Sequence, residues 1–161
     1  MGKVVIVSGK QGGGKTTQCL KLAEEARKEN RHIGGFLAIG EWKEGLRHSF
    51  KLLDLRTNDT YELASRENIE GWEKVGSFYF NPETIKIGEK ILREHVKDAE
   101  WLFVDEIGKF DIQGRVWGPV LKEILPQSKF TIIAVRENFV DDVLEYFNIT
   151  DPLMFKYGNN K

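Results

Sequence analysis

Residues 3–17 read Lys3-Val4-Val5-Ile6-Val7-Ser8-Gly9-Lys10-Gln11-Gly12-Gly13-Gly14-Lys15-Thr16-Thr17, and the fold turns on them. Lys3 to Ser8 is a short β-branched run, the pattern of a strand buried on both faces of a parallel sheet. Gly9 to Thr16 then fits G-x-x-x-x-G-K-[ST], with Thr17 following. Glycines at those positions let backbone N–H groups turn inward around phosphate oxygens, and a following helix adds its positive end. Lys15 is spaced to reach β- and γ-phosphates, and Thr16 to offer a hydroxyl to Mg²⁺, whose other contacts would be phosphate oxygens and water. The candidate nucleotide-binding set is therefore Gly9, Lys10, Gln11, Gly12, Gly13, Gly14, Lys15, Thr16 and Thr17.

Working outward, Gly14 to Asn30 carries Cys19, Leu20, Ala23 and Ala26 at helical spacing, so a helix follows the loop. Ile33 to Ile39 reads as a second buried strand, interrupted by Gly34 and Gly35. Between about 41 and 80, Arg47 to Leu55 and Thr60 to Ala64 flank the turn signal Thr57-Asn58-Asp59, which predicts an antiparallel hairpin inserted into the sheet. Asn81-Pro82-Glu83 is a helix start, with Asn81 as N-cap and Pro82 at the first helical position. Beyond it, Trp101 to Val104 is a strand, Val116 to Leu125 a helix, Phe130 to Val135 a strand and Phe139 to Phe147 a short helix. Leu153 to Phe155 closes the pattern as a small strand. Strands alternating with helices imply an α/β fold with a mostly parallel sheet and helices on both faces, ligands binding beyond the carboxyl ends of the strands. With 161 residues, one domain spanning 1–161 is expected.

Composition narrows the classes further. The chain is 40% hydrophobic and 30% charged with mean hydropathy −0.40, as expected of a soluble globular protein. Its 24 basic and 25 acidic residues give a net charge of −1, so no global charge draws it to nucleic acid or an anionic membrane. One cysteine, Cys19, excludes an internal disulfide and a Cys-based zinc cluster, and suits a reducing compartment. Neither a signal-peptide core nor a membrane span is expected from Val4 to Val7, and a cytoplasmic location follows as the expectation.

Asp105 and Glu106 end the Trp101 strand, where a P-loop site needs a second acidic motif. Asp105 would hold Mg²⁺ through water, and Glu106 would polarise an attacking water toward the γ-phosphorus. An acidic residue directly after the metal-side Asp favours water over another acceptor. Charge developing on the transferred group calls for a cation. Lys109 is the first candidate and Arg136, just past the Phe130 strand, the second; Arg47, Arg56 and Arg66 rank behind them. His48 and His95 read as surface or edge residues. Trp101 and Trp117 sit on core patterns, which leaves Trp42 and Trp72 as candidates to stack on a base.

Gly9 to Thr17 together with Asp105-Glu106-Ile107-Gly108-Lys109 resembles the family of cancer-related nucleoside-triphosphatases of archaea, bacteria and eukaryotes. Gly35-Phe36, Arg47 to Phe50 and Gly76 to Phe80 fall where that family has comparable segments. The resemblance implies a RecA-like P-loop core and Mg²⁺-dependent hydrolysis of the terminal phosphate of ATP, GTP and other nucleoside triphosphates, with weak base selectivity. By position it gives Lys15, Thr16, Asp105 and Glu106 the phosphate, metal, metal-water and base roles. The chain departs from the family in having Phe110-Asp111 where Met-Glu is usual, and Arg47-His48-Ser49-Phe50 where Arg-x-Gly-Phe is usual.

Two other classes share the core: a nucleotide or small-molecule kinase, and a nucleotide-gated binding module with a protein partner. Scattered arginines rather than an arginine-rich lid speak against the first. An N-K-x-D guanine signature is missing, which speaks against an ordinary GTPase switch. No basic stripe with interleaved aromatics points to nucleic acid.

Overall fold

Side chains alternate in direction along the central strands, and the two hydrophobic clusters they feed determine the layers. In the computed structural model, which describes residues 1–10 and 14–156, Leu102 and Val104 enter one cluster while Trp101 and Phe103 join the other. Ile133 and Val135 separate from Ile132 and Ala134 in the same way. Gln11, Gly12 and Gly13 of the predicted loop lie outside the described residues.

The strands are β1 (Lys3–Gly9), β2 (Ile33–Lys43), β3 (Leu46–Asp54), β4 (Thr60–Ser65), β5 (Glu73–Val75), β6 (Phe78–Phe80), β7 (Trp101–Ile107), β8 (Phe130–Arg136) and β9 (Leu153–Lys156). They form one sheet in the order β5-β6-β4-β3-β2-β7-β8-β1-β9. From β2 to β9 the pairings are parallel, and from β2 to β5 antiparallel. The sheet is thus mixed, its antiparallel wing larger than one hairpin. That wing grows because β2 runs unbroken through Gly34 and Gly35 to Lys43, where the reading above stops it at Ile39. Gly35, at φ +96°, sits so close to Phe103 that a Cβ would fall on the Phe103 carbonyl, so the glycines permit close pairing instead of ending the strand. Glu44 and Gly45, both at positive φ, then turn β2 directly into β3.

Helix α1 (Lys15–Lys28) covers one face, where Cys19, Ala23 and Ala26 are small enough for close packing. On the other face lie α2 (Pro82–His95), α3 (Gly118–Ile124) and α4 (Val140–Tyr146). Asn81 caps α2 as the sequence predicts, its side chain accepting from the Glu83 N–H, and Pro82 follows at the first position. Helix α3 is shorter than Val116 to Leu125, because Trp117 is its N-cap and a 3₁₀ turn at Leu125–Gln127 takes up Pro126. Trp117 is nevertheless core, 2% exposed and stacked against Phe36 at 4.7 Å between centroids, an arrangement worth about 1 kcal/mol beyond its area.

His95 is not a surface residue. It is buried at the end of α2, and its Nδ1 accepts the Gly35 N–H at 2.9 Å, pinning α2 to β2. Burial, with Arg56 nearby, lowers its pKa, in keeping with a ring nitrogen that must stay unprotonated to accept. Among the described residues no helix is long and apolar enough to cross a membrane.

Candidate active site

At its carboxyl end β7 breaks step with β8. Val104 pairs with Ile133 and Ile107 with Val135, so Asp105 and Glu106 together face Ala134 alone. This is a β-bulge, and Glu106 at φ +61° is its left-handed residue. Val104 and Ile107 both reach the same hydrophobic cluster, while the two acids between them are released from strand alternation. A non-glycine residue in that conformation costs about 1–2 kcal/mol, and such strain concentrates at working sites.

Asp105 is fully buried. Its Oδ2 accepts the Thr16 hydroxyl at 2.7 Å and the Ala38 N–H at 3.0 Å, and its Oδ1 accepts the Glu106 N–H at 2.9 Å. Burial, helped by the Glu106 charge, pushes its carboxyl up to about 7, against the pull of those bonds. No cationic nitrogen lies within 4.0 Å of it among the described residues. The sequence thus puts an oxygen pair, hydroxyl and carboxylate, at one point from residues 89 positions apart, a donor set suited to a hard divalent cation. No cluster of three or more His, Cys, Asp and Glu able to hold a metal occurs among the described residues, so nucleotide oxygens would have to complete such a shell.

Gly14, at φ +94°, turns the chain into α1, whose first turn carries no acid to offset its positive end. Lys15 is buried and folds back to donate to the Lys10 carbonyl at 2.9 Å. Burial lowers the pKa of its ammonium; Glu106 and Asp105 work against that shift, and Arg47 and Arg136 add to it. These groups are therefore gathered around one point. Arg136 arrives there because Gly9 pairs with it across β1 and β8. Lys109 is exposed, 5.6 Å from the Phe110 ring.

Sequence reasoning ranked Arg47 low, yet it is the cation that touches Glu106, Nη1 to Oε2 at 3.2 Å. Its guanidinium lies over the rings of Phe50, at 4.7 Å, and Trp42, at 5.3 Å, and its buried Nε has no hydrogen-bond partner among the described residues. Arg47 and Glu106 stand between two openings. On one side a pocket of about 360 Å³ is lined by Gly14, Lys15, Thr16, Thr17 and Trp42. On the other, a cavity of about 400 Å³ has aromatic walls and Arg66, Lys109 and Arg136 around it. Of the two tryptophans named as stacking candidates, Trp42 lines the P-loop pocket and Trp72 lines neither opening.

Asp111, the shortened second carboxylate, does not point into the site. It is buried and accepts the N–H groups of Gly108 and Trp117 at 2.8 and 2.9 Å, which shapes the loop that carries Lys109.

A strand, P-loop and helix, with an acidic strand end separated from the P-loop strand by one intervening strand, define the class as the P-loop nucleoside-triphosphatase fold. The sequence model of the family described as NTPase matches residues 4–153, and the chain belongs to that family. Nucleoside-triphosphatase THEP1 of Archaeoglobus fulgidus is 30% identical over 148 residues, 90% of this chain and 86% of the relative. That of Methanocaldococcus jannaschii is 29% identical over 138 residues, 85% and 80% of the two chains. The crystal structure of THEP1 from the hyperthermophile Aquifex aeolicus has the same fold, with TM-score 0.71 at 20% identity over 97% of this chain and 90% of that one. The solution structure of a human cancer-related nucleoside triphosphatase gives 0.70 at 19% identity over 96% and 88%.

Proposed function

We propose that the protein hydrolyses nucleoside triphosphates to the diphosphate and phosphate with broad base tolerance. The observation that carries this reading is the bulge, which sets the Glu106 carboxylate beside the P-loop pocket directly after the buried Asp105. Lys15 leaves the Lys10 carbonyl and binds the β- and γ-phosphates, with the amino end of α1 behind it. Thr16 and, through water, Asp105 would hold Mg²⁺, which would supply charge neutralisation to the phosphates when bound. Glu106 orients a water for in-line attack on the γ-phosphorus and takes its proton. Arg47 and Arg136, both near Lys15, meet the charge that develops on the γ-phosphoryl oxygens, with Lys109 at the rim of the same opening. The family membership supports the reaction class, and the lone buried Cys19 suits the cytoplasm, where we locate the protein.

Phosphate release from a panel of ribo- and deoxynucleoside triphosphates with Mg²⁺ tests the reading, with wild type beside Lys15→Ala and Glu106→Gln. Turnover is expected on several bases, lost in Lys15→Ala and reduced at least ~100-fold in Glu106→Gln with nucleotide binding kept. Undiminished hydrolysis by Glu106→Gln would remove that residue from the mechanism.

A further inference from the structure

We propose that Asp111 is a positioning residue for Glu106: its ionised carboxylate staples the strained end of β7 to the Trp117 backbone, and on taking up a proton it releases one side of that staple. The inference rests on the reading of Glu106 as the group that orients the attacking water.

Glu106 holds φ +61°, and Val116, a β-branched residue for which a positive φ is rarer still, holds φ +50°. Such conformations persist only where the surroundings over-determine them. Asp111 spans the chain between the two. Its Oδ2 accepts the Gly108 N–H at 2.8 Å, just past the bulge, and its Oδ1 accepts the Trp117 N–H at 2.9 Å, directly after Val116. Trp117 cannot follow a moving loop, since its indole is buried against Phe36. Gly118, next along, lies so close to the Asp111 carbonyl that a Cβ would overlap it, which holds the same turn from its other side. One side chain thus anchors the end of β7 to the core.

Two N–H donors converging on one short side chain require two acceptor oxygens. Asparagine offers one and meets the second N–H with its own amide, and a protonated carboxyl turns one oxygen into a hydroxyl donor. The charge has no other use, because no ion pair among the described residues includes Asp111. Arg115 of the same loop reaches Glu73 at 4.0 Å, and Lys109 is exposed beside the Phe110 ring. On α3, Lys122 lies over the Tyr146 ring and Glu123 pairs with Arg93, while Asp141, Asp142 and Glu145 of α4 are exposed. Burial pushes the Asp111 carboxyl up to about 7 against the pull of its backbone hydrogen bonds, and the Glu106 charge adds to the rise. The protonated form favours folding, since a carboxyl raised on folding contributes stability that is lost as pH rises through the raised value. The ionised form completes the staple. Stability and turnover should therefore run in opposite directions with pH.

The test follows kcat and KM with Mg²⁺ and ATP from about pH 5.5 to about pH 9 in wild type, Asp111→Asn, Glu106→Gln and the double variant. The ratio of wild-type to Asp111→Asn kcat cancels the titration of every group the two proteins share, Asp105 included. It should be at least ~10 at high pH, with KM changed by less than about threefold, and should fall toward low pH, where wild-type Asp111 is itself protonated. In the Glu106→Gln background Asp111→Asn should cost no more than about twofold, because its effect passes through Glu106. A ratio near one throughout, a larger ratio that does not change with pH, or an equal loss in the Glu106→Gln background each overturns the proposal. Glu106→Gln with wild-type turnover counts instead against the reading of Glu106. Should Asp111→Asn not fold, the amide proton resonances of Gly108 and Trp117 in wild type carry the test. They should titrate together with one midpoint, and signals that stay fixed over the range overturn the proposal.

Discussion

Arg47 joins Glu106 to an aromatic bed, and its buried Nε has no hydrogen-bond partner among the described residues. A guanidinium with that unfilled donor is poised to exchange the carboxylate for a phosphoryl oxygen, because its planar fork serves either group. Arg47→Ala should lower kcat by about 10²–10³-fold with a smaller change in KM. Arg47→Lys should recover little of this, since a point charge does not reproduce the fork. Steady-state kinetics check both, and an Arg47→Ala enzyme that keeps wild-type kcat removes the residue from catalysis. Lys15, Thr16, Asp105 and Glu106 were legible because loop spacing and a strand end announce them. Arg47 was not: it stands 59 positions from Glu106, and only the β2–β3 turn brings the two together. Its turn residues, Glu44-Gly45, lack the Asn-Gly or Asp-Gly signature that would have flagged the hairpin.

Gly88 supports the cavity from behind, at the level of whole elements. It lies within α2 where a Cβ would fall inside the Trp117 indole, the residue that caps α3 and lines the cavity. Helix propensity alone would reward Gly88→Ala by about 1 kcal/mol. Overpacking a rigid ring costs about 1–3 kcal/mol, and with backbone and indole both held the collision wins. Urea unfolding should find Gly88→Ala less stable than wild type by about 1 kcal/mol. Greater stability would mean that α2 and α3 can slide apart. The cap of α2 was readable from Asn81-Pro82 alone, and the apolar stripe of α1 from its spacing. β5 and β6 have three residues each, too few for any periodicity to register, and the turn between them needs Gly76, at φ +65° and packed so close to the Phe110 ring that no Cβ would fit.

Across the whole molecule, the parallel half of the sheet was legible because strand–helix alternation leaves few other ways to bury both faces. Its antiparallel wing depended on how far β2 continues, which local pattern does not say. The site spans both halves: β1, β7 and β8 bring the P-loop, the acids and Arg136, while β3 brings Arg47. On the proposed reading, bound nucleotide would tie the wing to the parallel core. Thermal unfolding of Glu106→Gln, chosen because its turnover is expected to be reduced, should shift upward with Mg²⁺ and nucleoside triphosphate, by about 2.7 kcal/mol at a ligand concentration of 100 Kd. The shift should vanish in Lys15→Ala/Glu106→Gln, and a shift that survives there would place the nucleotide elsewhere.

Trp42 sits at the join of those halves, 57% exposed, with its ring over Arg47 and its edge on the P-loop pocket. Trp117 is sealed in the core and Trp101 is packed between Phe103 and Phe130. Trp72, the fourth, lines neither opening, so Trp42 is the indole whose surroundings are the guanidinium and the pocket mouth. If Arg47 swings to the phosphate, that indole loses its cation, and the chain's own fluorescence becomes a stopwatch for the swing, needing no dye and no labelled nucleotide.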